Sequence, residues 1–387
     1  MNRRIKGQYK WLALCLTAII VFMNACTNGN ALSSQNEVVT IDSLDITYPL
    51  PSGDDILPMS EYNANGQKLS TIEDLKAMIS PEDISIVQQG NYTVAVCMHE
   101  YYTQWSKVLI NGLRDTLEKF NISLLAVTDG QMDTNRMISN LESLAALKPD
   151  VIVVYNLSTN VLTPAVKDVI DKGIKVQFIG EPTLGLQYGK DYGAIVMPDD
   201  YQMGYVSAEF LAQRIGGKGE IALLQYEAIN NNEEVERRRG YMDALKNYPD
   251  IQIAVTELIS NNEDAAKKTE LILEAHPNIK GIWASWDQPA MAAATIIQNK
   301  GKEIYVTGPD IGKESAYSLS SDGLFVGTGS QQPYLQGVAE ALNIVVSLSG
   351  KTPPQYVQTP AVKVTKENLS SVWEVIYHEE FKAEPAD

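Results

Sequence analysis

From Tyr92 onward, short apolar runs alternate with amphipathic stretches. The runs Thr93–Met98, Ser123–Thr128, Val151–Tyr155 and Lys175–Ile179 predict strands, and so do Glu220–Leu224, Ile251–Leu258, Gly281–Ser285 and Ile304–Thr307. After the first run, Leu109, Leu113, Leu117 and Phe120 recur at helical spacing and share one face. Helices are also predicted over Glu234–Asn247, Glu263–Ala275 and Ala290–Asn299. A shorter one is predicted over Thr71–Ile79, capped by Ser70 or Thr71. Near-continuous apolar strands separated by helices form parallel sheets covered on both faces. The series is too long for one ordinary sheet, and Pro182, Pro198 and several glycines break it between Gly180 and Asp200. The pattern predicts an α/β chain of two doubly wound parallel-sheet domains, with the first crossover in that break.

The start of the chain follows a different rule. Arg3, Arg4, Lys6 and Lys10 precede the apolar run Trp11–Met23, interrupted only by Thr17. The run is shorter than the ~20 residues of a membrane-spanning helix. It ends in Met23-Asn24-Ala25-Cys26, and this order is that of a signal peptide. The small residue before the cysteine resembles a bacterial lipobox. Residues 1–25 are expected to be removed and Cys26 to carry lipid; the alternative is an uncleaved anchor. Residues 26–90 are expected to form a tether and lead-in. Thr27–Asn36 is rich in Asn, Ser and Gly, and Pro49, Pro51, Gly53 and Pro58 interrupt regular structure.

Charge narrows the partners. The whole chain carries −17; without the leader, 27 basic residues face 48 acidic ones, a net charge of −21. That balance excludes the basic footprint of a nucleic-acid binder. The three His and three Cys are scattered, so neither a metal centre nor a cofactor is expected. With Cys26 lipidated, Cys97 has no partner for a disulfide, and its apolar strand makes it a buried, inert thiol.

Ligands of open parallel sheets bind beyond the carboxyl ends of the strands. His99, Trp105, Glu181, Arg237, Trp286, Asp287, Asp310 and Gln331 lie at or near such ends. Indole faces stack on the CH faces of a sugar, while carboxylates, an amide and a guanidinium pair with its hydroxyls. Asp287 is expected to cap the following helix while lining the cleft. Trp283, just inside a strand, is expected in the core. Asp199 and Asp200 are expected as cap and hinge, and Glu233, Glu234 and Glu236 as a helix start favoured by the macrodipole.

The order and spacing of these residues resemble a known family. Trp105 follows the first strand and its polar loop; Arg237 precedes Gly240-Tyr241; His276-Pro277 precedes a strand ending at Trp286-Asp287; Gly308-Pro309-Asp310 follows the next; and Gln331 lies two residues before Pro333. From Tyr92 to Thr365 the chain resembles the periplasmic sugar-binding proteins of the ribose-binding type, the solute receptors of ABC importers, which have the type I periplasmic binding protein fold. The resemblance implies a three-strand hinge. It implies a first domain of 91–197 plus about 309–331 and a second of 198–308 plus about 332–365, leaving 366–387 as a tail. It implies that Trp105 stacks on the ligand, that Glu181 accepts from hydroxyls, and that Asp310 and Gln331 close the polar ring. Arg237 would fork onto the ligand from the cleft, so its replacement is expected to leave ligand-free stability unchanged. Ser106 and Ser260-Asn261 stand where the family has stacking aromatics, and Trp286 where it has an amide, so a ribose-like reading of the ligand is not expected.

No phosphate loop, dinucleotide fingerprint, zinc-protease motif or nucleophile elbow occurs. The expectation is a non-enzymatic, extracytoplasmic, lipid-anchored monomer. It captures a small sugar or polyol and delivers it to the permease and ATPase subunits of an ABC importer. The alternative is a receptor that signals to a membrane kinase or chemoreceptor.

Overall fold

The computed structural model describes residues 39–157, 160–228 and 231–383. The expected signal peptide, Cys26 and the Asn/Ser/Gly-rich spacer lie outside the described residues. The strands are β1 Thr93–Met98, β2 Ser123–Asp129, β3 Val151–Tyr155, β4 Lys175–Ile179, β5 Ile195–Pro198, β6 Lys218–Tyr226, β7 Asp250–Ile259, β8 Ile279–Ala284, β9 Tyr305–Thr307, β10 Thr328–Ser330, β11 Tyr356–Thr359 and β12 Val362–Val364. The helices are α1 Ile72–Met78, α2 Pro81–Gln89, α3 Gln104–Lys119, α4 Thr134–Ala146, α5 Thr163–Asp171, α6 Asp200–Arg214, α7 Asn232–Leu245, α8 Asn262–Ala275, α9 Asp287–Asn299, α10 Lys313–Ser320, α11 Pro333–Leu348 and α12 Leu369–Tyr377.

Two parallel sheets form, in the orders β11-β5-β4-β3-β1-β2 and β7-β6-β8-β9, with a small antiparallel pair β10-β12 beside the second. Each expected strand is present, the central ones because their alternate residues meet helices on opposite faces. On β1, Val94, Val96 and Met98 pack with α3 and α11, while Ala95 and Cys97 pack with α4. Cys97 is fully buried, and burial pushes its thiol up to about 12, consistent with an inert packing residue. Trp283 is core, as expected, and donates from Nε1 to Ser207 Oγ at 2.8 Å.

The return segments are exchanged relative to expectation. Residues 309–331 stay with the second lobe, where Ala316, Leu319 and Phe325 enter its core and Phe325 bridges to Val306 of β9. Residues 333–359 belong to the first lobe, where α11 packs against α3 and β11 extends the sheet beside β5. The reason is an edge that periodicity did not show: β5, only four residues long, offers the first sheet a parallel partner for β11. Among the described residues the two sheets are thus joined by three crossings, after β5, after β10 and between β11 and β12, with the lead-in running alongside them.

The ends of the chain differ too. The lead-in is not only a tether, because α1 and α2 place Leu75, Ile84 and Val87 in the first-lobe core. Thr71 and Ser80 begin these helices, each accepting from the backbone of an Asp three residues on that reaches back to the cap. Nor is 366–387 simply a tail: Leu369, Val372, Trp373 and Ile376 of α12 are buried in the second-lobe core.

Candidate functional site

The carboxyl ends of both sheets face one another across the crossings. A narrow cleft lies there, lined from the first lobe by Trp105, Tyr155, Met197 and Gln336 among others, and from the second by Asp200, Glu233 and Arg237, with Gln331 at a crossing.

Arg237 is the centre of its charge network. Its helix α7 lies against α6 with no room for side chains at the contact: a Cβ on Gly240 would overlap the Tyr201 carbonyl, and one on Gly204 the Arg237 carbonyl. This explains the Gly240-Tyr241 pair, since the glycine admits α6 and Tyr241 fills the core beside it. The close approach brings Arg237 Nε to 3.0 Å from Asp200 Oδ1. Its Nη1 donates to the Ser285 carbonyl at 2.8 Å, and its Nη2 meets Glu233 at 2.7 Å and Asp310 at 3.7 Å. Arg237 is 2% exposed, which corrects the expectation of a side chain free to fork onto a ligand with no structural role. Burial opposes its charge, but Glu233, Asp200 and Asp310 outweigh that and raise its pKa. Burial raises Asp200 and Asp310 in turn, against the opposing pull of Arg237. Three carboxylates around one guanidinium favour hydroxyl or cationic donors and repel anions.

Asp310 adopts a left-handed backbone, φ 75°, that turns the chain after β9. Gln331 Nε2 donates to its Oδ2 at 3.0 Å, and Gln336 Nε2 donates to Gln331 Oε1 at 2.9 Å. A polar chain therefore runs from Arg237 in the second lobe, along the crossing, to α11 in the first. Glu181 Oε1 accepts from the Asn232 amide of α7, so the lobes touch across the cleft mouth. Burial lifts Glu181 to about 7.

The first-lobe wall is aromatic. Thr103 caps α3 and fixes Trp105 in its first turn. The Trp105 ring stands edge-on to Tyr155 at 5.5 Å, and Tyr155 stacks on His99 at 4.0 Å. Buried His99 is pushed down to about 3 and is neutral. Among the described residues Trp105 Nε1 and His99 Nδ1 are buried without a protein partner, so both have hydrogen-bonding capacity to spare.

Trp105, Arg237, Asp310 and Gln331 thus converge, with Glu181 at the mouth and His99 behind Tyr155. Trp286 instead stands edge-on to Tyr226 at 5.5 Å, at the start of α9. Asp287 departs further: its Oδ2 accepts from Gly312 N and Ser315 Oγ, both at 2.7 Å, so it holds the start of α10 and does not line the pocket. The short loop after β9 brings those donors within reach. Burial, then Asp310, raises Asp287 to about 6.

Tyr155, Asp200, Glu233 and Gln336 were missed as pocket residues. Tyr155 ends its strand, so inspecting only the residues after strands passes over it. Asp199 is a cap, accepting from Gln202 N at 3.0 Å. Asp200 and Glu233 look like helix-start acids; Glu233 pairs with Arg237 one turn along the same helix, and only the α6–α7 contact shows that Asp200 does too.

The sequence profile of the periplasmic binding protein domain matches residues 94–352. The xylitol-binding protein of Mycolicibacterium smegmatis is 29% identical over 69% of this chain and 76% of its own length. The ribose import binding protein RbsB of Bacillus subtilis is 25% identical over 64% of this chain and 78% of its own. Among solved structures, an ABC transporter periplasmic solute-binding protein from Actinobacillus succinogenes with bound D-allose is 26% identical. It matches with a TM-score of 0.61 over 72% of this chain and 99% of its own. Two sheets joined by three crossings, a polar and aromatic cleft between them, and these matches agree: the chain belongs to the periplasmic binding protein family, in its ribose-type sugar-binding group.

Proposed function

We propose that this protein is an extracytoplasmic solute receptor, not an enzyme. It captures a small neutral sugar or polyol between its lobes and presents the closed form to an ABC-type permease. The observation that carries the reading is the pocket itself, where an aromatic wall with spare hydrogen-bonding atoms faces acid-rich polar groups from the other lobe. Trp105 and Tyr155 supply ring surface. Glu233, Asp310 and Gln331 accept from hydroxyls, and the remaining Arg237 N–H groups donate to a ring oxygen or hydroxyl. Glu181 closes the mouth against α7. The lobes rotate about the crossings, so the ligand touches both only when they are closed. The relatives named for xylitol and ribose, and the D-allose complex, support this ligand class.

The test is a thermal-shift panel of xylitol, D-ribose, D-allose, other pentoses, hexoses and polyols, and sugar acids, on ligand-free protein. A ligand bound only by the folded state adds about 2.7 kcal/mol at a hundredfold excess over Kd. At least one neutral member is expected to raise the melting temperature, and the sugar acids are not. A shift from the acids alone would overturn the charge argument; no shift from any member would overturn sugar capture.

We also propose that Cys26 anchors the mature chain at the membrane, on the order of basic, apolar and small residues before it. Cys26→Ala is expected to leave an unprocessed precursor or release the protein from membranes. Unchanged membrane association and gel mobility would refute the anchor.

A further inference from the structure

Residues 55–70 cross the strands that join the lobes, and their contacts divide between the two sides. On the second-lobe side, Ile56 bridges to Val362 of β12, and Leu57 N donates to Ala361 O at 2.9 Å. Asn368 Nδ2, beside α12, donates to Asp55 Oδ1 at 2.7 Å. Ser60 then donates from N at 2.7 Å and from Oγ at 3.1 Å to Asp199, the cap of α6. Next comes a small hairpin in which Tyr62 pairs with Lys68. Its turn, Asn63 to Gly66, is closed by Gly66 N donating to Asn63 O at 2.9 Å and tightened by Asn63 Oδ1, which accepts from Asn65 N and Gln67 N. The hairpin returns into the first lobe. Leu69 is in its core, Ser70 N donates to Tyr356 O, and Gln358 N donates to Ser70 O, both contacts lying on β11. The hairpin is thus fixed to the first lobe by its returning leg.

Its tip is not. The Ala64 amide donates to Glu236 Oε1 on α7 of the second lobe. Glu236 is 5% exposed, and its other oxygen takes Arg239 at 2.6 Å. It is the residue next to Arg237, so the helix that brings the guanidinium to the ligand pocket also receives the hairpin. A rotation that parts the lobes about their crossings carries α7 away from a hairpin anchored on β11. Glu236 Oε1 then loses its donor while Oε2 keeps Arg239, and leaving a buried carboxylate oxygen without its hydrogen bond is costly. The family profile begins at residue 94, so this segment lies outside the matched region.

We propose that residues 55–70 form a latch across the hinge. Docking of the hairpin tip on Glu236 stabilises the closed arrangement of the lobes and so raises ligand affinity without touching the ligand. The inference rests on the two-lobe capture reading above. Because apparent affinity scales with the population of the competent conformer, weakening the latch weakens binding by up to the factor lost from closure.

Ala64→Pro removes the donor N–H at the second position of the turn, where proline is favoured. Glu236→Met removes the acceptor from the other side and covers the case in which the proline variant does not fold. For either variant, small-angle X-ray scattering of the ligand-free protein is expected to give a larger radius of gyration than wild type. Titration with whichever of xylitol, D-ribose or D-allose binds is expected to give an affinity about tenfold weaker, the size of one lost hydrogen bond to a charged group. Unchanged scattering and affinity would overturn the latch. A lower melting temperature with both unchanged would do the same, by showing a brace with no bearing on closure. Scattering needs no ligand, so if no sugar binds, the capture reading fails while the latch is still decided.

Discussion

Arg237→Met is expected to lower the stability of the ligand-free protein by roughly 3–5 kcal/mol, the usual cost of removing one partner of a buried ion pair. The guanidinium is 2% exposed and meets Asp200, the Ser285 carbonyl, Glu233 and Asp310. Without it, Asp200, itself 2% exposed, has lost its cation in a desolvated site. The carboxylates can relieve this by taking up protons, so the loss should be larger at pH 8 than at pH 5. Adding Asp200→Asn to the same chain removes one stranded charge and should restore part of the stability. Ligand affinity should fall more than tenfold, since at least one charge-assisted hydrogen bond is lost and the α6–α7 contact loosens. Chemical denaturation at both pH values, with calorimetric titration, decides it. An unchanged denaturation midpoint would show that Arg237 serves the ligand alone.

A second large effect concerns pH. The protein should be most stable in mildly acidic solution, near pH 5, and should lose stability steadily toward pH 8. Burial lifts Glu234 to about 7 and Glu181 to about 7, Asp287 rises to about 6, and fully buried Glu340 on α11 is also raised. For each, the folded state holds a proton more tightly than the unfolded chain. The folded state therefore binds more protons between the ordinary carboxylate pKa and the raised one, and unfolding becomes easier as pH climbs through that window. For Glu234 alone, 3% exposed, the loss is about 3 kcal/mol. Asp83 limits the acid side. Burial opposes its charge, but Lys351 at 2.5 Å and Ser80 hold it down at about 2, so its contribution is lost only in strong acid. Glu234→Gln can keep accepting from Ser285 Oγ without titrating, and should flatten the decline between pH 5 and 7. A melting temperature that rises from pH 5 to 8 in the wild type would contradict the burial argument.

The sequence by itself determined eight of the twelve strands among the described residues, several of the helices, and the family. Strand position followed from local apolar runs, since a strand buried on both faces has to be apolar along its length. Helices such as α3 followed from the spacing of Leu109, Leu113, Leu117 and Phe120, because only that spacing collects them on one face. The ends of the strands pointed to Trp105, Arg237, Asp310 and Gln331, because a parallel sheet places its loops at one edge whatever its partners.

What the tertiary structure alone decided were matters of which surface meets which. No local pattern tells β11 to pair with β5 in the first sheet while β12, three residues later, joins the second lobe; the open edge of a short strand settles that. Nor does periodicity distinguish Asp200, which looks like a helix-start acid, from a partner of a buried arginine. The distinction needs two glycines on different helices, Gly204 and Gly240, to let α6 and α7 touch. Asp287 looked like a cleft carboxylate until the loop after β9 brought Gly312 and Ser315 to it. The proline-interrupted part of the lead-in, read only as breaking regular structure, closes over the hinge through backbone hydrogen bonds. Those bonds depend on which chain lies alongside, and backbone amides carry no side-chain signature by which a sequence could announce it.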